Sequence, residues 1–239
     1  MTLVQRWFAV AATSWLVAGS LGIAAEAAPR PAVIELFTSE GCSSCPPAEA
    51  YIGELAARAD VLPLAFHVDY WDDLGWRDRF ELRQAVPRQQ TYQQVLHLRN
   101  TYTPQVILDG RADYVGSSRA EIGAALQQPR EGVPVELSIE GGEIHVRLAA
   151  SGMGRGTEVL LVSYLRKAVT AVGHGENAGH TLEEYNIVRS LKSLGAWDGS
   201  NRELTARLDA LPRDATDVAV LIQVSTQGAI VGAARKPLL

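Results

Sequence analysis

Apolar positions in the first half of the chain alternate between unbroken runs and helical repeats. Ala32 to Phe37 is an apolar run interrupted only by Glu35 and reads as a buried strand. From Ala48 to about Arg58 the apolar residues recur at helical intervals, and Pro46 and Pro47 suit the first turn, where a missing N–H is unpaired anyway. Val61 to Asp69 is apolar enough for a strand buried on both faces, as parallel strands under helices are. These three segments predict a βαβ unit. Arg79 to Asn100 carries a helical pattern divided at Pro87, Thr103 to Leu108 reads as a third strand, and Asp109-Gly110 is a hairpin signal into Arg111 to Val115. Ser117 or Ser118 can cap a last helix, Arg119 to Gln128, which completes the order β-α-β-α-β-β-α.

The pattern changes after Pro129 to Gly132, which reads as a linker. Val133 to Glu140 and Glu143 to Ala150 alternate apolar and polar residues around Gly141-Gly142, as a hairpin with one exposed face does. Glu158 to Ala168, Tyr185 to Leu191, Val218 to Ser225 and Ile230 to Ala234 add strand-like runs, and Glu203 to Leu211 suits helix or strand. Short strands with regular turns predict a mainly antiparallel, β-sandwich-like domain over residues 131–239, following an α/β domain over residues 28–130.

Residues 1–27 have the composition of a cleaved signal peptide: Arg6, an apolar core from Trp7 to Ile23, and Ala25-Glu26-Ala27 as the cleavage site. The expected mature protein begins at Ala28 and is periplasmic or secreted, with no stable membrane insertion after cleavage. An uncleaved anchor is the alternative, at the lower length limit for a span. The formal net charge of -5 over 239 residues supplies no basic face for nucleic acid. Export permits disulfides, but the chain's two cysteines exclude a scaffold stapled by several of them.

Those two cysteines, Cys42 and Cys45, stand three positions apart at the junction of the first strand and first helix, the sequence form of a redox C-x-x-C. A thiol at a helix start meets unpaired N–H groups and the positive end of the helix dipole, which favour its thiolate. Cys42 is therefore expected to be the exposed, attacking sulfur and Cys45 the buried, resolving one. The competing reading is a structural disulfide, although so small a loop stabilises little. His67 and Asp69 fall at the C-terminal end of the second strand, where functional groups of open α/β sheets collect. Cys42, Cys45 and His67 then form a minority option for copper or zinc, against His67 bonding within its own loop. Tyr70, Trp71 and Trp76 either make an aromatic rim for substrate or pack the loop. His174 and His180 match no standard metal spacing, His97 and His145 read as surface or packing residues, and the sequence contains no phosphate loop, G-x-S-x-G or H-E-x-x-H.

The β-α-β-α-β-β-α order, Cys42-Ser43-Ser44-Cys45-Pro46 after the first strand, and Thr103-Pro104 at the head of the third resemble the thioredoxin fold. That resemblance implies that Pro104 is a cis-proline facing the cysteines, that the backbone of Thr103 pairs with substrate, and that Glu35 serves as the buried acid for the resolving cysteine. Glu35 has a rival reading, in which it reaches solvent at the strand end. Glu35 to Pro46, His67 to Asp72 and Tyr185 to Arg189 are also similar to a family of secreted bacterial proteins catalogued as domain of unknown function 1223. The expected fold is thus a thioredoxin-like α/β domain followed by the β-rich domain. The expected function is an exported thiol–disulfide oxidoreductase with no cofactor beyond its disulfide, exchanging with protein or small-molecule thiols and disulfides and with a redox partner. A copper/zinc-binding protein and a non-catalytic binding module are the alternatives.

Overall fold

The structure, a computed structural model, describes residues 28–238, so the expected signal peptide lies outside the described residues. In chain order the strands of the first half are β1 (Ala28–Pro29), β2 (Ala32–Thr38), β3 (Val61–His67), β4 (Gln105–Leu108) and β5 (Ala112–Val115). Interleaved with them are α1 (Pro46–Ala56), α2 (Ala85–Val95) and α3 (Arg119–Leu126). There follow β6 (Glu131–Gly132), β7 (Val135–Glu140), β8 (Glu143–Leu148), β9 (Thr157–Ala171), β10 (Thr181–Trp197), β11 (Arg202–Arg207), β12 (Asp217–Val224) and β13 (Ile230–Pro237).

One mixed sheet of eight strands, ordered β13-β12-β9-β10-β3-β2-β4-β5, runs through both halves of the chain. This corrects the expected thioredoxin-like α/β domain followed by a β-sandwich-like domain. Strands outweigh helices, and β10 pairs in parallel with β3, so the outer edge of the βαβ unit is an interior position of a larger sheet. The physical cause lies in β3. It is buried along its whole length, and an exposed apolar edge of that kind is a template for another strand. Pro63 breaks the donor row of β3, and Asn186 of β10 adapts to the break. Its backbone is left-handed (φ 50°), and its side-chain amide donates to the Pro63 carbonyl at 2.8 Å. The sequence pattern marks only Tyr185 to Leu191 of this strand, because β10 has 17 residues whose alternation is reset by irregularities at Val188/Ser190 and Ser193/Gly195.

Alternation along β2 divides the core. Ile34 and Leu36 meet Ala48, Ile52 and Leu55 of α1 and Ile122 of α3, whereas Val33 and Phe37 turn to the other face with Ala85 and Tyr92 of α2. The apolar stripe of α1 recurs at i, i+4 and i+7. Pro87, expected to divide a longer helix, lies in the first turn of α2, where proline is tolerated; the segment from Arg79 to Gln84 is not helical. A second sheet, ordered β11-β8-β7, packs Ile144, Val146 and Leu148 against Val159, Leu161, Val218 and Val220 of the large sheet. The segment suited to helix or strand resolves into β11 and a short 3-10 turn. Among the described residues no helix is long and apolar enough to cross a membrane.

Candidate functional site

At the C-terminal end of β2 the chain makes a tight turn before α1. Cys42 N–H donates to the Ser39 carbonyl at 3.1 Å, and Cys45 N–H to the Cys42 carbonyl at 3.1 Å. Pro46 and Pro47 then open the helix, and the Cys45 carbonyl accepts from the N–H groups of Ala48 and Glu49. Cys42 and Cys45 form a disulfide with Cα atoms 5.4 Å apart. The turn is closely packed: a Cβ on Gly41 would lie 3.1 Å from Cβ of Trp71.

Polar groups converge on the Cys42 sulfur. Thr103 Oγ1 donates to Cys42 Sγ at 3.2 Å and accepts from Trp71 Nε1 at 2.8 Å, so the indole orients the hydroxyl. Ser44 Oγ lies 3.3 Å from the same sulfur and 3.4 Å from the Thr103 carbonyl. The Thr103–Pro104 peptide bond is cis. Cys42, Cys45, Thr103, Pro104 and Trp71 are therefore brought together.

The expected exposure of the first sulfur is corrected, because Cys42 and Cys45 are both fully buried. The loop between β9 and β10 closes over their turn. Asn177 Nδ2 donates to the carbonyls of Glu40 at 2.8 Å and Cys42 at 3.0 Å, and Glu176 accepts from Ser43 N–H at 3.3 Å. His174 and His180 belong to this loop, and His180 Nδ1 is 3.3 Å from the Asn177 carbonyl.

Glu35 is not brought to the cysteines. It shares the α2 face of β2 with Val33 and Phe37, where it is fully buried and pairs with Arg88 at 2.6 Å. Arg88 also donates to Gln223 of β12 at 2.9 Å, so this ion pair ties α2 to the sheet. His67 faces a carboxylate. Its Nδ1 is 2.8 Å from Asp78 Oδ2, and that carboxylate also accepts from the backbone N–H of Glu40 at 2.8 Å and of Phe80 at 2.8 Å. Among the described residues no group of three His, Cys, Asp or Glu side chains is arranged to hold a metal ion. Tyr70 stands at the surface, while Trp76 donates from Nε1 to Glu40 at 2.7 Å, beside Arg79 at 3.5 Å. Away from the site, His97 has a left-handed backbone just beyond α2, and His145 lies 3.5 Å from Glu203 on the small sheet.

Behind the cysteine turn lies a set of buried ionisable groups that the sequence reading passes over: Glu40, Glu49, Asp78 and Glu184. Burial disfavours the His67 cation, but the charge and hydrogen bond of Asp78, with Glu49 and Glu184 adding, lift it to about 9. Burial lifts Glu184 to about 7 against the opposing pull of His67, and it raises Glu49 in the same way. Asp78 is held below the usual carboxylate range: burial works against its charge, and His67 outweighs it. Glu49 was detectable as a carboxylate beside Ala48 and one turn before Ile52, on the buried side of α1. Glu40 was detectable as the acid directly before Gly41-Cys42, whereas Asn177 and Glu184 come from so far along the chain that no local pattern links them to the cysteines.

The chain matches the family model described as "Protein of unknown function (DUF1223)" over residues 33–223. It is similar to a protein of Agrobacterium tumefaciens solved by X-ray crystallography, with a TM-score of 0.76 and 31% identity across 87% of this chain and 94% of that one. HBP35 of Porphyromonas gingivalis shares the fold at a TM-score of 0.59, with 14% identity across 88% of this chain and 76% of that one. No curated protein matches the chain.

Proposed function

The chain belongs to the DUF1223 family, whose description assigns no chemistry, and from the site itself we propose that Cys42 and Cys45 carry out thiol–disulfide exchange. The supporting observation is the convergence on one sulfur: Thr103 Oγ1, oriented by Trp71, donates to Cys42 Sγ at 3.2 Å. A disulfide with a purely mechanical role gains little from a hydroxyl aimed at one sulfur, whereas a thiolate formed there gains a charge-assisted hydrogen bond. Placement before the first turn of α1 adds the helix dipole to the same end.

In the reduced protein the Cys42 thiolate attacks a substrate disulfide, forming a mixed disulfide and releasing one substrate thiolate, which takes up a proton. Cys45, deprotonated, then attacks Cys42 Sγ, re-forming the internal bond and releasing the second substrate thiol. Two protein thiols are oxidised and one substrate disulfide becomes two thiols. In an exported protein, the thiol or disulfide partner and the redox partner that resets the pair meet it in the periplasm or outside the cell. Glutathione disulfide is a suitable probe. With reduced protein, Cys45→Ser is expected to accumulate a mixed disulfide at Cys42, Cys42→Ser to form none, and the unmodified chain to return to its internal disulfide. Failure of Cys45→Ser to trap glutathione would overturn the proposal, as would resistance of the native disulfide to excess dithiothreitol.

A further inference from the structure

Between α1 and β10 lies a groove of about 530 Å³, a volume typical of small-molecule clefts. Its apolar walls include Pro46 and Ala50 on the helix side and Leu182 and Tyr185 on the strand side. The charges lining it are of one sign: five glutamates and, among the described residues, no lysine, arginine or histidine. Three of the five have cationic partners: Glu54 pairs with Arg119, Glu183 with Lys167, and Glu40 with Arg79 at 3.5 Å.

The floor differs from the rim. Glu49 is 6% exposed, and neither of its carboxylate oxygens has a hydrogen-bond partner among the described residues. Glu184, 1% exposed, spends one oxygen on Thr170 at 2.8 Å; the other stands 4.0 Å from His67 Nε2, beyond hydrogen-bonding distance. A buried carboxyl without a partner forfeits its hydration, so a group that donates hydrogen bonds to Glu49 and Glu184 recovers what folding gave up. An ammonium placed between two buried carboxyls favours their charged forms against the cost of burial, which a neutral donor does less well and an anion opposes.

We propose that the α1–β10 groove is a binding site for a small amine, its ammonium head donating to Glu49 and Glu184 and its apolar body lying along Ala50, Leu182 and Tyr185. Cys45 borders the groove, whereas the contacts of Thr103 and Trp71 are directed at Cys42 and lie outside its lining, and the proposal stands whether or not the cysteines turn over.

The test uses the oxidised full-length mature chain and isothermal titration with three probes that share a phenyl ring on a two-carbon chain: phenethylammonium, 2-phenylethanol and phenylacetate. Phenethylammonium is expected to saturate a single site, 2-phenylethanol to bind at least about tenfold more weakly, and phenylacetate not to bind. Glu49→Gln removes the charge, and Ala50→Trp fills the groove from the exposed face of α1 while leaving all five glutamates in place. With circular dichroism showing both variants folded, each is expected to weaken phenethylammonium binding by about tenfold or more. Equal binding of the three probes, undiminished binding in both variants, or no saturable binding of phenethylammonium would each overturn the proposal.

Discussion

Thr103 has two duties that a single hydroxyl can meet, accepting from the Trp71 indole and donating to the Cys42 sulfur. Thr103→Val keeps the side-chain shape and the β-branch but removes both. If the hydroxyl stabilises a thiolate, the substitution should slow iodoacetamide alkylation of Cys42 in the reduced protein by about tenfold at neutral pH, the equivalent of one charged hydrogen bond. Equal rates would show that the contact orders the turn without activating the sulfur. Glu184 and His67 make a second prediction, in stability. Glu184 rises from 4.5 to about 7 on folding, so its contribution is full below 4.5 and is lost as pH rises towards 7. His67 rises from 6.5 to about 9, so its contribution is full below 6.5 and is lost towards 9. Urea unfolding should therefore show stability falling through both windows, and Glu184→Gln, which mimics the protonated acid, should flatten the lower one. Asp78, held low, contributes above 3.8 and loses its share only in acid.

Elements that depend on nearby residues were legible in the sequence: β2, α1 and β3 follow from a strand run, two prolines and a second apolar run, and the hairpin of β4 and β5 from Asp109-Gly110. What connects distant elements was not. Nothing local to Tyr185-Asn186-Ile187 states that Ile187 will stand opposite Ala65, because parallel pairing across more than a hundred residues is decided by complementary edges. Glu35 shows the same limit: the run around it marks burial, but which face it turns to follows from Arg88 on α2. Asn186 is the residue that adapts β10 to β3. Asn186→Gly keeps the positive φ and removes the amide, whereas Asn186→Ala loses both. In urea unfolding, glycine should cost about 1 kcal/mol and alanine about 1 kcal/mol more. Equal losses would assign the whole effect to the hydrogen bond.

Across the whole molecule, the disulfide sits where the two halves of the chain meet, and each half supplies part of its cover. Cys42, Trp71 and Thr103 come from the first half, and Asn177 closes the turn from the second. With both sulfurs buried, a reductant reaches them only after the β9–β10 loop moves, so Asn177→Ala should speed reduction by dithiothreitol by about tenfold, an amount that two backbone-directed hydrogen bonds can supply. An unchanged rate would place the barrier elsewhere. The cysteine motif was legible in the sequence, but its seal was not, since Asn177 stands 135 residues from Cys42.

The same separation gives the protein a history as well as a shape. A chain that emerges N-terminus first presents Cys42 and Cys45 well before Asn177 exists to cover them. During that interval the cover that Asn177 provides over the turn is missing. The pair is thus open to any reagent while the protein is half made, and once the later strands dock, access depends on the opening of the β9–β10 loop.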